Sequence, residues 1–402
     1  MLKKRSVIAV PTFFSLGLMG SFHAFWGTTL PVLRTFLDIN IEQATVLTAY
    51  NLAAQAVACM LGGLLSDLMR RDKILLIGCL LLGSGAFILG GPRSYVANII
   101  LVFWMGLGCG LMLSSSNALL VGLFPDRKGT ILNIHHSVYG AVSLISPLVM
   151  AALLQAGTGW QRGYVGLGWV LMAVCNFFLF TTVPTVRNND RTPFLKDARG
   201  LFSSGNFVPL LLIATFAVGA QIAVMFLAVT YLVEAKGLNI IEASTVLSAF
   251  FVCIFAGRII CSWMSFHMSS TRIVLILLFL QLAGLLVAWQ ASGWLSAIAV
   301  AISGLGCSGI FPSLLALTGT LFFNVAGTSL GVLASTVWIG GMFIVWMAGL
   351  LSQRVNVQWG FVAIVLASLA GVFVHSLKYR TFLRAETVAG IATESVDSLD
   401  TS

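Results

Sequence analysis

Apolar residues fall in twelve runs, near 7–30, 44–66, 74–92, 97–121, 131–156, 163–184, 207–232, 244–264, 273–291, 295–318, 328–351 and 359–377. Each is close to the roughly twenty residues that an α-helix needs to cross a hydrocarbon core about 30 Å thick. Between them stand short turn-forming stretches such as Pro125-Asp126-Arg127-Lys128-Gly129, Gly157-Thr158-Gly159 and Ser292-Gly293. One linker is long, running from Pro184 to Asn206 through Arg187, Asp190, Arg191, Lys196, Asp197 and Arg199, and it divides the chain near its midpoint. The pattern predicts an all-α integral membrane protein of twelve transmembrane helices. Its expected parts are a six-helix bundle over 1–184, a linker over 185–206, a second bundle over 207–380, and a polar, acidic, disordered tail over 381–402.

Composition closes off the soluble alternative. Of 402 residues, 58% are hydrophobic and 9% charged, where a soluble domain is about a quarter charged. The net charge of +9 gathers between the apolar runs and forms no basic face, so the expected partners are a lipid bilayer and a small solute, with no nucleic acid. The seven cysteines lie inside apolar runs without a Cys-x-x-Cys pair, which suggests neither disulfides nor zinc, and no cofactor is expected. Lys3, Lys4 and Arg5 precede a first run that lacks a convincing cleavage site, so it reads as a retained helix. Sixteen of the twenty-two Lys and Arg residues fall on the side of the termini and the long linker, five on the other, and Arg258 inside a run. By the preference for retaining positive charge inside, both termini should be cytoplasmic, in an inner or plasma membrane.

The two halves repeat. Ile41-Glu42-Gln43-Ala44-Thr45-Val46-Leu47-Thr48-Ala49-Tyr50 aligns with Ile241-Glu242-Ala243-Ser244-Thr245-Val246-Leu247-Ser248-Ala249-Phe250, and Gly106-Leu107-Gly108-Cys109 with Gly304-Leu305-Gly306-Cys307. Leu123-Phe124 answers Leu321-Phe322, and Gln161-Arg162-Gly163-Tyr164-Val165 answers Gln358-Trp359-Gly360-Phe361-Val362. Two parallel repeats imply a pseudo-two-fold axis along the membrane normal with a cavity between them, the architecture of a carrier. A monomer suffices for it.

Gly63-Leu64-Leu65-Ser66-Asp67 followed by Arg70, Arg71 and Lys73 resembles the loop signature of the major facilitator superfamily. Gly257-Arg258, Phe311-Pro312-Ser313-Leu314-Leu315-Ala316-Leu317 and Leu132-Asn133-Ile134-His135-His136-Ser137-Val138-Tyr139-Gly140 are similar to its fucose/glucose symporter branch. The resemblance covers residues 7 to about 380 and implies alternating access, with Asp67, Arg70 and Arg71 as a conformational latch between the halves. Two departures matter. His267 replaces the acid in the second-half copy, and Gly27 and Leu113 stand near places where proton symporters of that branch carry acids.

All thirteen acids lie in loops, at run ends or in the tail, which leaves few polar groups for a cavity. His23, Trp26, Asn117, His136, Gln221, Arg258 and Trp338 are the candidate solute-binding residues, because polar groups inside a membrane are costly and usually face a bundle interior or a water-filled path. Asn117, Asn133, His135 and His136 align with Leu315, Gly331, Leu333 and Ala334, so the architecture itself does not demand polarity there. His135 and His136 point about 100° apart, and which one faces the cavity stays open. With no buried acid, a co-transported proton would have to use His23 or His136; sodium coupling is the alternative. The chain lacks a phosphate-binding Gly-x-x-x-x-Gly-Lys-[Ser/Thr] loop and a buried acid for a Ser-His-Asp triad. The expected function is therefore secondary transport of a sugar, polyol or small organic anion. A facilitator or exporter of the same fold is the alternative, ahead of a membrane enzyme or a transporter-like sensor.

Overall fold

The computed structural model describes residues 2–124, 127–180, 200–322 and 325–400. These form α1 (Leu2–Leu37), α2 (Ile41–Leu68), α3 (Arg71–Ile88), α4 (Tyr95–Leu123), α5 (Lys128–Gln155) and α6 (Gln161–Phe180) in the first half. The second half holds α7 (Phe207–Glu234), α8 (Ile240–Met264), α9 (Ser270–Gln290), α10 (Gly293–Leu321), α11 (Ala326–Arg354) and α12 (Val357–Asp400). Eleven are long and apolar enough to cross a membrane; the exception, α3, spends its first turn on Arg71, Asp72 and Lys73. It also ends earlier than its apolar run, because Gly90 takes a left-handed φ of 91° ahead of Pro92. The elements thus form the expected two pseudo-symmetric six-helix bundles.

The sequence repeat has a packing counterpart. Gly106 on α4 lies against the Asn51 carbonyl of α2, and Gly304 on α10 against the Phe250 carbonyl of α8. Two residues on, Gly108 faces the Leu82 amide of α3 while Gly306 faces the Gln281 amide of α9. A side chain at any of the four would meet backbone, so small residues allow the close helix approach that membrane bundles rely on. At the other repeated segment, Tyr164 shares a hydrogen bond with Thr29 at 2.8 Å, and Phe361 stacks on Tyr231 at 4.0 Å between ring centroids. The glycine repeat marks where each bundle is tightest.

An even number of helices places both ends of the described chain at one face of the bundle, called here the terminal face; the other is the far face. Between the halves, α1 packs on α7, α2 on α11 and α5 on α8. Gly27 of α1 meets the Met225 carbonyl of α7, and Gly349 of α11 meets the Thr45 side chain of α2 near the far face.

One expectation fails here. The tail, read as disordered from 381 onward, continues α12 as helix to Asp400. Its polar composition hid two anchors. Phe382 is fully buried, and the Glu386 carboxylate accepts hydrogen bonds from the Ser270 and Thr271 amides and the Thr271 hydroxyl at 2.7, 3.1 and 2.7 Å. An acid at these amides caps α9 and opposes its dipole. Glu386→Ala should lower stability by about 1–2 kcal/mol, read as a lower thermal midpoint and faster proteolysis of the tail in detergent. An unchanged midpoint would show that this cap contributes nothing.

Candidate functional site

The middles of α1, α2, α5, α7 and α11 converge on His23. Its side chain is buried, with Nδ1 at 2.9 Å from the Tyr139 hydroxyl of α5. Across the seam between the halves, Phe226 of α7 meets the imidazole edge-on at 5.5 Å, and the Trp338 ring of α11 lies at 5.6 Å. The Tyr139 hydroxyl also reaches the Met225 sulfur at 3.6 Å. His23 and Tyr139 come from one half; Met225, Phe226 and Trp338 come from the other. The cluster is built by both.

Its polar atoms are only partly matched. Trp338 Nε1 is buried without a hydrogen bond to the protein, while the buried His23 Nε2 and Gln55 Oε1 make none of good geometry although the two side chains lie against each other. Gln55 approaches the His23 ring and donates to Asn51 at 2.7 Å, and Asn51 in turn donates to the Val102 carbonyl at 2.7 Å. A buried polar group left unpaired costs about 1–3 kcal/mol. Unpaired donors and acceptors gathered at a seam of this kind suit a polar solute that can satisfy them.

His136, Tyr139 and Gly140 share one face of α5, three and four residues apart. Arg258 of α8 lies along that face, its Nη1 donating to the His136 carbonyl at 3.1 Å, while its Nε is buried and unpaired. Gly140 borders the same Nη1, which a Cβ there would meet at an ordinary contact distance of 3.9 Å. His135 points the other way, to the Ser116 hydroxyl at 3.0 Å and the Phe13 ring, inside the first bundle. His136 thus meets the seam through its backbone carbonyl, and the His135 ring packs inside the first bundle.

Other candidates are placed differently. Trp26 is buried and gives its indole N–H to Thr48 of its own half at 2.8 Å. Asn117 is half-buried on α4 with an unpaired Oδ1, and Gln221 is half-buried on α7 one turn before Met225. Only part of the expected latch is described. The Asp67 and Asn133 side chains lie outside the described residues, as do Pro125, Asp126 and most of the long linker. Arg70 pairs with Asp72 at 2.8 Å, and that hydrogen-bonded carboxylate raises the guanidinium pKa further. Arg71 donates to the Ala118 carbonyl at 2.8 Å and Lys73 to the Phe178 carbonyl at 3.0 Å. Among the described residues, the partners of these cations belong to their own half.

The ion pair that bridges the halves among the described residues is Arg34 with Glu234, at 2.7 Å on the far face. It joins the end of α1 to the end of α7, and a separation of 200 residues hides it from a reading of local motifs. Because the pair is partly exposed, it should contribute no more than about 1 kcal/mol. Arg34→Ala is expected to raise the population open at the far face by up to about fivefold, measured as the distance between spin labels at positions 38 and 237. Restoration by the swapped pair Arg34→Glu/Glu234→Arg is the accompanying control.

Sequence reasoning passed over Tyr139, Asn51 and Gln281. Gln281 is buried and donates to the Ala217 carbonyl at 2.9 Å, inside the π-helical turn Ala214–Val218 that interrupts α7. The matched packing of Gly108 and Gly306 makes the apolar Leu82 its counterpart in the first half.

Two bundles around a buried polar seam define a multi-pass membrane protein with a carrier fold. The sequence profile described as Major Facilitator Superfamily matches residues 12–270, and the chain belongs to that family of transporters. It is 22% identical over 272 residues to a protein TsgA homolog of Serratia proteamaculans (strain 568), covering 66% of this chain and 68% of that one. It is 25% identical over 219 residues to the multidrug efflux pump SdrM of Staphylococcus aureus (strain N315), covering 53% and 47%. Among solved structures, a D-xylose-proton symporter superposes with a TM-score of 0.76 at 17% identity, covering 93% and 97% of the two chains. The E. coli fucose:proton symporter FucP does so with 0.62 at 16%, covering 91% and 99%. At these identities the structural likeness establishes the fold.

Proposed function

We propose that this protein is a secondary transporter that carries a small polar solute across the plasma (inner) membrane by alternating access. The observation that carries the reading is the His23 cluster, in which unpaired buried polar atoms sit between residues supplied by opposite halves. Rocking one bundle against the other would expose such a site to each face in turn. His23, Tyr139, Trp338, His136 and Arg258 form its wall, with Gln221 one turn along α7. The two sugar–proton symporters that share the fold keep sugars and sugar derivatives among the candidate solutes and support proton coupling through His23. Similarity to SdrM favours export as the competing direction. The working unit is a monomer with cytoplasmic termini.

Flux into liposomes containing the purified protein is the direct test. Saturable counterflow of a solute supports transport, whereas turnover of a solute without flux would replace it with an enzyme. Orientation is checked separately. A reporter after Ser402 or within 187–205 should signal cytoplasm, and one near 237 the outer side. A C-terminus on the outer side would overturn the assignment of the faces.

A further inference from the structure

We infer that the transported solute is an anion, a small carboxylate or phosphate ester, whose charged group is taken up by Arg258 in place of the His136 carbonyl. The inference rests on the transport reading above and names the substrate class for the same site.

The argument begins with charge. A guanidinium remains protonated at any physiological pH, and a charge within a membrane protein's interior is expensive unless something compensates it. Arg258 is six residues from the end of α8, and its partner belongs to a helix of the opposite half. That partner is one mid-helix carbonyl, which brings a dipole and no negative charge. Of the five N–H donors that a guanidinium carries, Nη1 supplies one to His136, and Nε is buried without a partner.

No acid among the described side chains is placed to neutralise it. Asp72 is held by Arg70 and Glu234 by Arg34, Glu386 caps α9, and Glu242 caps α8 from its first turn. Glu42 occupies the first turn of α2, and Asp38 the turn before it. The seam thus holds a fixed cation whose counter-charge the described protein does not provide.

Geometry then selects the ligand. A guanidinium offers parallel N–H groups that match the two oxygens of a carboxylate or phosphate. Neutral sugars and polyols could take up hydrogen bonds but would leave the charge uncompensated. A cationic solute would be repelled. Tyr139 links the two parts of the site, because it neighbours Arg258 on α5 and holds His23 through its hydroxyl. An anion at Arg258 therefore leaves the rest of a small solute facing Tyr139, His23 and Trp338, where the other unpaired atoms lie.

The test uses the purified full-length protein and a fixed panel. Its anions are gluconate, glucuronate, citrate, glycerol 3-phosphate and glucose 6-phosphate; its neutral members are glucose, xylose, fucose and mannitol. Thermal shift and counterflow are measured for the wild type, Arg258→Gln and Arg258→Lys. At least one anion should stabilise the wild type and exchange in liposomes. Its affinity should fall about 100-fold in Arg258→Gln, as expected when one partner of a buried charge pair is removed, and less in Arg258→Lys, which keeps the charge but loses the fork. Should Arg258→Gln fail to fold, the wild-type preference and the lysine variant still decide.

Failure of every anion to bind overturns the inference. So does binding of an anion with equal affinity to wild type and Arg258→Gln. Exchange of neutral members alone overturns it while leaving transport intact. Binding of anions through Arg258 with no exchange of any member would instead count against the transport reading.

Discussion

Tyr139→Phe is expected to slow solute uptake by one to two orders of magnitude. The hydroxyl is the partner of His23 Nδ1 and also touches the Met225 sulfur across the seam. Its removal would leave the buried imidazole with Nδ1 unpaired and only the Gln55 side chain lying against it. A loss of about 1–3 kcal/mol follows for one such group, which corresponds to roughly 5- to 150-fold in affinity or rate. Phenylalanine keeps the ring volume, so thermal stability should move far less than uptake. Equal losses in both would assign Tyr139 to packing. His23→Gln separates binding from coupling. Glutamine retains a donor and an acceptor but cannot titrate, whereas an ordinary histidine changes charge near pH 6.5. Accumulation driven by a pH gradient should vanish in His23→Gln while counterflow exchange persists. If wild-type uptake ignores an imposed pH gradient, the proton proposal is dead and sodium coupling or facilitated diffusion takes its place.

What the sequence made legible was set by periodicity and repetition. Runs of about twenty apolar residues announce membrane helices because the bilayer leaves the backbone few other ways to satisfy its polar groups. The paired Gly106-Leu107-Gly108 and Gly304-Leu305-Gly306 segments revealed the two bundles because the same tight crossing recurs in both. His23 and Arg258 were visible as polar groups in apolar surroundings, and both reach the seam. Side-chain direction was not visible. Trp26 and His23 lie three residues apart on α1, yet one donates to Thr48 inside its own bundle while the other meets Trp338 of the opposite half. Tyr139 was quoted within a motif without a role, since tyrosine in a membrane helix is unremarkable until its hydroxyl is seen between His23 and Met225. The docked tail escaped because composition registers its polarity and not the two contacts, Phe382 and Glu386, that hold it.

Gly27→Val should trap the carrier open at the far face. The packing at Gly27 leaves no room for a side chain. In the present conformation its Cα faces the Met225 carbonyl of α7, and an added Cβ would collide with that backbone oxygen. A backbone carbonyl inside a helix cannot swing away as a flexible side chain would. The remaining response is separation of α1 from α7, at the crossing that Arg34 and Glu234 close near the far face. Overpacking of this kind costs about 1–3 kcal/mol. Charged against the far-closed state alone, it would shift the conformational ratio roughly 5- to 150-fold. The distance between spin labels at positions 38 and 237 should lengthen accordingly, and counterflow should fall because one half of the cycle is lost. Gly27→Asp should behave in the same way and confer no proton coupling, because its carboxylate would arrive at the carbonyl before any solute could. A normal distance distribution in Gly27→Val with uptake intact would show that α1 and α7 tolerate the extra volume, and the absence of an acid at this position would then need a cause other than packing.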